Sequence, residues 1–197
     1  MEVIKAVAGP FAVNCYIVYR DDREDCVIID PGADPSLILK TAGNRSPAAC
    51  LLTHGHFDHI GALTAAAFLD IPVYLHPSDS VYLRDPALNV SEQYPPLITL
   101  PLKPRPTQEG DAEELAGLRF ETLHTPGHTP GSVCYRCENH LFTGDTLFHN
   151  GYGATDFPGG NFHDLCASLR RLLRLRENLF IHPGHGEECM FTDIRRS

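Results

Sequence analysis

Residues 53–61 read THGHFDHIG, and this segment decides what kind of protein the chain can be. Within six residues it carries four side chains that can bind a metal ion, namely His54, His56, Asp58 and His59. It follows the apolar run ACLLT, so we expect it at the end of a β-strand. A surface turn gains little from three imidazoles and a carboxylate packed so closely, whereas a metal site needs side chains of this type. The segment therefore predicts a metal centre.

The bulk composition is typical of a globular protein. The chain has 197 residues, of which 43% are hydrophobic and 21% charged, and we predict a single domain over residues 1–197. A net charge of -9 argues against nucleic acid as a partner, because nucleic-acid-binding surfaces are basic, and it disfavours anionic membranes. No apolar run approaches the roughly 20 residues of a membrane-spanning helix, and the N-terminus lacks a signal-peptide pattern. We therefore expect a cytoplasmic protein.

The seven cysteines are an odd number and are scattered along the chain. This usage predicts reduced thiols rather than a disulfide framework. Cys134 and Cys137 form a CxxC motif, but the surrounding SVCYRC alternates as a β-strand does, and residues three apart in a strand face opposite sides. We therefore interpret both cysteines as structural.

Short β-type runs and helical patterns are interleaved along the chain, which indicates a layered α/β domain. The β-type runs are EVIKAV, CYIVY, CVIID, ACLLT, PVYLH, RFETLH, SVCYR, HLFTG and LFIHP. Helices are predicted over Ser36–Gly43, Ile60–Asp70 and His163–Arg176. The proline-rich stretch from Asp85 to Pro106 is the least regular part, and a lid, an oligomer contact and a long connection all fit its length.

Three later segments place further candidate ligands beside glycines, just after apolar runs. They are LHTPGHTPGS (123–132), LFTGDTLF (141–148) and IHPGHGEE (181–188), with candidates His128, Asp145 and His185. Because one tetrahedral zinc takes only three or four protein ligands, a total of seven indicates two ions sharing a bridging carboxylate and a bridging water. Nitrogen and oxygen ligands suit zinc, iron or manganese, and of these we expect Zn²⁺.

These segments resemble the motifs of the metallo-β-lactamase superfamily. THGHFDHIG is similar to its HxHxDH signature, and VIIDPG (27–32), TPGHTPGS, FTGDTLF and PGHG stand in the family's order along nearly the whole chain. Within the superfamily, TPGHTPGS, GDTLF and TDFPGGN look most like glyoxalase II-like (hydroxyacylglutathione hydrolase-like) enzymes. The resemblance implies an α/β fold of four layers, an αβ/βα sandwich with the metals at one edge.

The resemblance also implies a role for each candidate. One metal ion would be held by His54, His56 and His128, and the other by Asp58, His59 and His185. Asp145 would bridge the two ions, and Asp30 would orient ligands by hydrogen bonding. Asp58 is expected to be catalytic as well as a ligand.

The implied reaction is hydrolysis of a thioester such as S-lactoylglutathione, a small-molecule substrate, with a metal-bridging hydroxide as nucleophile. A mononuclear-iron persulfide dioxygenase and a lactonase with the same dinuclear site are the alternatives. Two departures from glyoxalase II concern the substrate. The helical C-terminal domain that helps to hold glutathione does not follow PGHG, and Ala154 stands where relatives have a basic residue. We predict that Tyr152 and the proline-rich stretch wall the substrate cleft, and we make no prediction of oligomeric state.

Overall fold

The protein, described as a computed structural model over residues 1–175 and 178–194, is built on two six-stranded sheets. The strands of the first sheet pair in chain order: β1 (Glu2–Ala8), β2 (Val13–Tyr19), β3 (Asp25–Ile29), β4 (Ser46–Leu51), β5 (Val73–Leu75) and β6 (Arg105–Pro106). The first three strands are antiparallel, and β3 to β6 run parallel to one another.

The second sheet also follows chain order. Its strands are β7 (Ala112–Leu115), β8 (Leu118–His124), β9 (Val133–Cys137), β10 (His140–Gly144), β11 (Phe180–Pro183) and β12 (Cys189–Met190). All neighbours are antiparallel except β10 and β11, which are parallel because α3 (Phe162–Leu172) lies between them in the chain. A crossover helix is the usual way to join parallel strands.

Helices cover the outer faces of the two sheets. One apolar cluster joins the outer face of the first sheet to α1 (Pro35–Ala42) and α2 (Phe57–Ile60). A second cluster fills the space between the sheets, and a third joins the second sheet to α3 and to α4 (Phe191–Ile194). These layers, helix–sheet–sheet–helix, form the four-layer αβ/βα sandwich predicted from the motifs. Among the described residues, no helix has the length and apolar character needed to cross a membrane.

Most predicted elements are present, with one change. All nine predicted β-type runs contain strands, and β6, β7 and β12 are additional short strands. The helix predicted over Ile60–Asp70 is instead the end of α2 followed by two 3₁₀ helices, Gly61–Thr64 and Ala66–Phe68, which are separated by Ala65 in an extended conformation. The prediction was wrong because alanine propensity is a weak guide against tertiary packing. Arg176, the last residue of the third predicted helix, lies outside the described residues.

Cys134 and Cys137 lie on opposite sides of the second sheet, as the alternation of SVCYRC predicted. Cys134 packs in the cluster beneath α3, whereas Cys137 packs between the two sheets. All seven cysteines are free thiols.

The strand ends bring the candidate ligands to one edge of the sandwich. Asp30 and the segment 53–59 follow the carboxyl ends of the parallel strands β3 and β4. From the second sheet, Asp145 follows β10 and His185 follows β11, and Gly184 N–H donates to the Gly144 carbonyl across these strands at 2.8 Å. A further hydrogen bond, 2.8 Å from Val133 N to the Thr53 carbonyl, joins the two sheets at this edge.

Candidate metal centre

The first group of predicted ligands converges on one point. His54, His56 and His128 each offer a ring nitrogen, and these atoms lie within 4.8 Å of one another in a buried setting. Nδ1 of His56 and Nε2 of His128 are 2.8 Å apart. Two ligands at the usual distance from a tetrahedral zinc lie roughly 3.3 Å apart, so this group has the dimensions of a site for one ion.

The second group lies beside the first. Asp58, His59 and His185 also bring one ligand atom each within 4.8 Å of one another. Oδ2 of Asp58 is 3.3 Å from His185 Nε2 and 3.9 Å from His59 Nε2. A third group, His54, His59 and Asp145, overlaps both, so the structure brings all seven predicted ligands into one cluster, and their division between two ions stays a prediction.

Asp145 stands between the two groups. Its Oδ2 is 3.6 Å from His128 Nε2 of the first group and 3.6 Å from His185 Nε2 of the second, and its Oδ1 is 3.4 Å from His59 Nε2. A carboxylate in this position can give one oxygen to each of two ions or share one oxygen between them.

Hydrogen bonds from outside the cluster hold four of its five imidazoles in one orientation. Asp30, buried, accepts from the Thr53 amide at 2.8 Å and the Thr53 hydroxyl at 2.7 Å, and its Oδ2 is 2.9 Å from His59 Nδ1. The Thr53 hydroxyl in turn lies 3.1 Å from His54 Nδ1. Asp30 has the contacts that its predicted orienting role requires, and it reaches both groups of ligands.

Backbone carbonyls perform the same task for two other histidines. Nδ1 of His128 is 2.7 Å from the Ala154 carbonyl, and Nδ1 of His185 is 3.1 Å from the Phe11 carbonyl. A proton on each Nδ1 leaves Nε2 with a free lone pair directed at the cluster. The part played by these carbonyls, and by Thr53, is not visible in the sequence motifs.

For His54, His56 and Asp145, the protonation states favoured by this environment are those that bind cations. Burial and the neighbouring imidazoles lower the pKa of His54 far below its usual range and that of His56 to about 3, so both rings are neutral. Burial alone would raise the pKa of the Asp145 carboxyl, but His59, His128 and His185 outweigh it and keep the group ionised. Neutral imidazoles and ionised carboxylates are the ligand forms that a metal requires.

The residues present fit bound divalent cations. Within the described part of the chain, His54 Nε2 is buried without a hydrogen-bond partner, and His59 Nε2 and Asp145 Oδ1 are buried 3.4 Å apart without hydrogen-bond geometry. Buried polar atoms are otherwise nearly always paired. Burial lowers the pKa of His59, but the carboxylates of Asp30, Asp145 and Asp58 raise it by more, so that the pKa lies well above its usual range. This part of the cluster therefore stabilises positive charge. Unpaired nitrogens beside buried carboxylates are what bound cations would satisfy.

Asp79 is a further buried acid at this edge that the sequence analysis missed. Its carboxylate accepts from Gly55 N at 3.0 Å, Gly131 N at 2.7 Å and the Thr129 hydroxyl at 2.7 Å. Burial raises its pKa to about 6, although these three donors act in the opposite direction. Asp79 thus ties the loop that carries His54 and His56 to the loop that carries His128. The sequence did offer one signal for Asp79: it follows β5 closely, and the parallel strands β3 and β4 are also followed by site residues.

A cavity of about 270 Å³ opens over the ligands. It is lined by ligands from both groups together with Phe11, Phe57, Val90, Tyr94 and Phe157. Val90 and Tyr94 belong to the proline-rich stretch, so part of that stretch walls the cleft as predicted.

Tyr152 does not line this cavity, contrary to the prediction. Its half-exposed ring packs at 6.0 Å from that of Phe162 and lines a different cavity with Leu147 and Leu173, so the prediction for this side chain is corrected.

Comparison with known proteins agrees with this geometry. The family model described as the metallo-beta-lactamase superfamily matches residues 8–185. The probable metallo-hydrolase YqgX of Bacillus subtilis is 41% identical, over 94% of this chain and 89% of its own length. Hydroxyacylglutathione hydrolase GloC of Haemophilus influenzae is 33% identical, over 100% of this chain and 95% of its own.

Two solved structures are also similar over nearly their whole length. BLEG-1, a B3 metallo-beta-lactamase, superposes with a TM-score of 0.92 at 36% identity, covering 100% of this chain and 97% of that one. TTHA1623 in a di-iron-bound form superposes with a TM-score of 0.86 at 38% identity, covering 98% of both chains.

Proposed function

Since this chain belongs to the metallo-beta-lactamase superfamily of metallo-hydrolases, we propose that it is a dinuclear metal-dependent hydrolase that cleaves thioesters such as S-lactoylglutathione. The observation that carries the proposal is the position of Asp145, which lies 3.6 Å from a histidine of each ligand group. Two ions of zinc are the expected cofactor, with iron or manganese as substitutes. The di-iron form of TTHA1623, at 38% identity, supports a site for two ions.

The ligand side chains set the chemistry. When bound, two divalent cations supply acidity to a water molecule and polarise a carbonyl oxygen. Asp58 lines the cavity over both ligand groups, and it also lines a neighbouring cavity of about 460 Å³. The pKa of Asp58 is lowered because His59 and His185 outweigh its burial. An ionised carboxylate at the mouth of the cavity can orient a water and accept its proton.

The substrate class rests on the relationship to GloC, whose name gives it a glutathione thioester as substrate. A small molecule suits a cleft of about 270 Å³ better than nucleic acid does, and the net charge of -9 argues in the same direction. Seven free thiols support a cytoplasmic location, where cysteines stay reduced.

The protein is expected to bind the glutathione portion of the substrate weakly. Ala154 has no basic side chain to offer, and its carbonyl is already used by His128. A charge-assisted hydrogen bond is worth about 1.5–3 kcal/mol, so its lack should raise KM. We therefore expect hydrolysis of several thioesters, with S-lactoylglutathione among them.

A second candidate is β-lactam hydrolysis, which the 36% identity to BLEG-1 favours. The test is a panel of S-lactoylglutathione, other thioesters, a lactone, a persulfide and a β-lactam, offered to metal-loaded protein. Thioester hydrolysis that disappears on chelation and returns on adding Zn²⁺ is expected. Loaded protein that leaves every thioester intact but opens lactones or β-lactams would overturn the substrate assignment. Oxygen-dependent persulfide oxidation with a single iron would point to the dioxygenase instead.

A further inference from the structure

An apolar trough of about 460 Å³ adjoins the cleft over the ligands. It is lined by the turn Gly9–Phe11 between β1 and β2 and by Tyr94–Ile98 of the proline-rich stretch. Gly32, Gly61 and Phe57 also line it. Neither the ligand geometry nor the proposed hydrolysis has assigned this trough a role.

The trough and the cleft adjoin each other. Phe11, Phe57, Asp58 and Tyr94 line both cavities. Three of these residues form an aromatic cluster at the junction: Phe57 stacks on Tyr94 with centroids 5.4 Å apart, and Phe11 meets both rings edge-on. A molecule whose reacting carbonyl lies over the ligands can therefore extend past these rings into the trough.

Hydrogen bonds hold the proline-rich side of the trough in place. Phe57 N–H donates to the Asn89 carbonyl at 2.9 Å, which ties the proline-rich stretch to the start of α2. The Asn89 side-chain amide donates to the carbonyls of Tyr82 and Ile98, at 2.8 and 3.0 Å, and thereby links the two ends of the loop that contains it. The trough is thus a preformed feature of the fold, as ligand sites usually are.

The chemistry of the lining selects an apolar, uncharged group. Within the described part of the chain, Asp34 and Asp58 are the charged residues that line the trough, and no basic side chain does. Leu97 is 64% exposed, and Phe11 and Tyr94 are each 40% exposed. Large apolar side chains gathered around a cavity that joins a reactive centre mark a binding site for an apolar ligand.

We propose that the trough binds the acyl chain of an apolar thioester. The protein would then prefer substrates with medium-length acyl groups over those with lactoyl or acetyl groups. The inference rests on the proposed thioester hydrolysis. A lactoyl group carries a hydroxyl and leaves the trough empty, whereas an acyl chain of six to eight carbons removes apolar surface of both partners from water. Full burial is worth about fourfold per methylene.

The test uses metal-loaded protein and N-acetylcysteamine thioesters with acetyl, butanoyl, hexanoyl and octanoyl groups, which share one small uncharged thiol. We expect kcat/KM to rise by at least about tenfold from acetyl to octanoyl. Leu97→Glu, which replaces an apolar lining residue by a charged one, should remove most of that rise, measured as the ratio of kcat/KM for octanoyl to kcat/KM for acetyl. Leu69→Glu is the matched control, because Leu69 is 66% exposed and lies outside the trough.

Binding of the corresponding amides, measured by calorimetry, separates this inference from the function on which it rests. Amides that bind more tightly with chain length, in wild type but not in Leu97→Glu, support the trough even if no thioester is cleaved. Hydrolysis or binding that is independent of acyl length, or a rise that Leu97→Glu leaves intact, would overturn the inference while the thioesterase assignment stands. A length dependence seen only when the thiol portion is extended would overturn it too, since the trough would then hold the leaving group.

Discussion

The carboxylate of Asp30 lies 2.9 Å from Nδ1 of His59, and through the Thr53 hydroxyl it also reaches His54. One buried acid therefore determines which ring nitrogen two histidines, one from each ligand group, present to the centre. Partners of this kind typically change metal affinity by 10–100-fold. The arrangement makes Asp30 testable apart from the ligands themselves.

Replacing Asp30 should weaken both ions without removing a ligand. For Asp30→Asn we expect metal affinity to fall by about 10–100-fold in chelator competition. Thr53→Val should weaken mainly the ion beside His54, because it breaks only that arm of the network, and Thr53→Ser should restore it. If Asp30→Asn binds both ions with wild-type affinity, the orienting role is wrong.

Loss of the bridging carboxylate should affect both ions, whereas loss of one histidine should mainly affect one. We expect Asp145→Ala to retain less than one ion per chain and to lose more than roughly 100-fold in hydrolysis. His54→Ala should retain one ion. His163→Ala serves as the control, because its imidazole is 89% exposed and belongs to none of the candidate ligand groups. Equal metal loss in all three variants would show that these effects are not specific to the site.

Asp79 should matter to both stability and metal binding, since its carboxylate joins two ligand-bearing loops. Asp79→Ala leaves the Gly55 and Gly131 amides without their acceptor, at about 1–3 kcal/mol for each unsatisfied group, and leaves the Thr129 hydroxyl with Ser132 alone. We expect the free energy of unfolding in urea to fall by about 3 kcal/mol or more. The affinity for the ion at His54, His56 and His128 should fall more than that for the other ion. An unchanged affinity ratio would mean that Asp79 supports only the fold.

The cysteine thiols should be unreactive toward thiol reagents in the native protein. Burial raises the pKa of Cys26 and Cys134 to about 11 and that of Cys137 to about 12, and it raises the pKa of Cys15, Cys50 and Cys189 as well. Since the thiolate is the reactive form, a raised pKa slows reaction at any pH below it. At pH 8 a thiol reagent should modify at most Cys166, which is half-buried, and all seven in denaturant. Rapid native reaction of several cysteines would contradict this burial.

The sequence predicted the ligand edge more accurately than its surroundings, for a physical reason. Ligands to a metal must be particular residue types at strand ends, so HxHxDH and the glycine-flanked His128, Asp145 and His185 are visible in one dimension. Contacts such as Ala154 carbonyl to His128 use backbone atoms that every residue possesses. Tyr152 was placed wrongly because its sequence proximity to Asp145 does not fix the direction of its side chain, which turns toward Phe162.

The segment after the signature motif shows a similar limit. An alanine-rich run predicts a helix by propensity, yet residues 61–68 form two 3₁₀ turns. The Gly61 position is crowded by the Gly32 carbonyl, which a side chain at that position would strike. Close packing of this chain segment against the loop after β3 is a tertiary constraint, and periodicity along the sequence contains no information about it.

Metal stoichiometry tests the central claim most directly. Chelator-stripped protein is titrated with Zn²⁺ and analysed by mass spectrometry under native conditions, alongside elemental analysis of protein purified without added metal. The two groups of ligands joined by Asp145 predict saturation at two ions per chain, and one ion in His54→Ala. Saturation of the wild-type chain at a single ion, or a single tightly held iron in the purified protein, would contradict the dinuclear account.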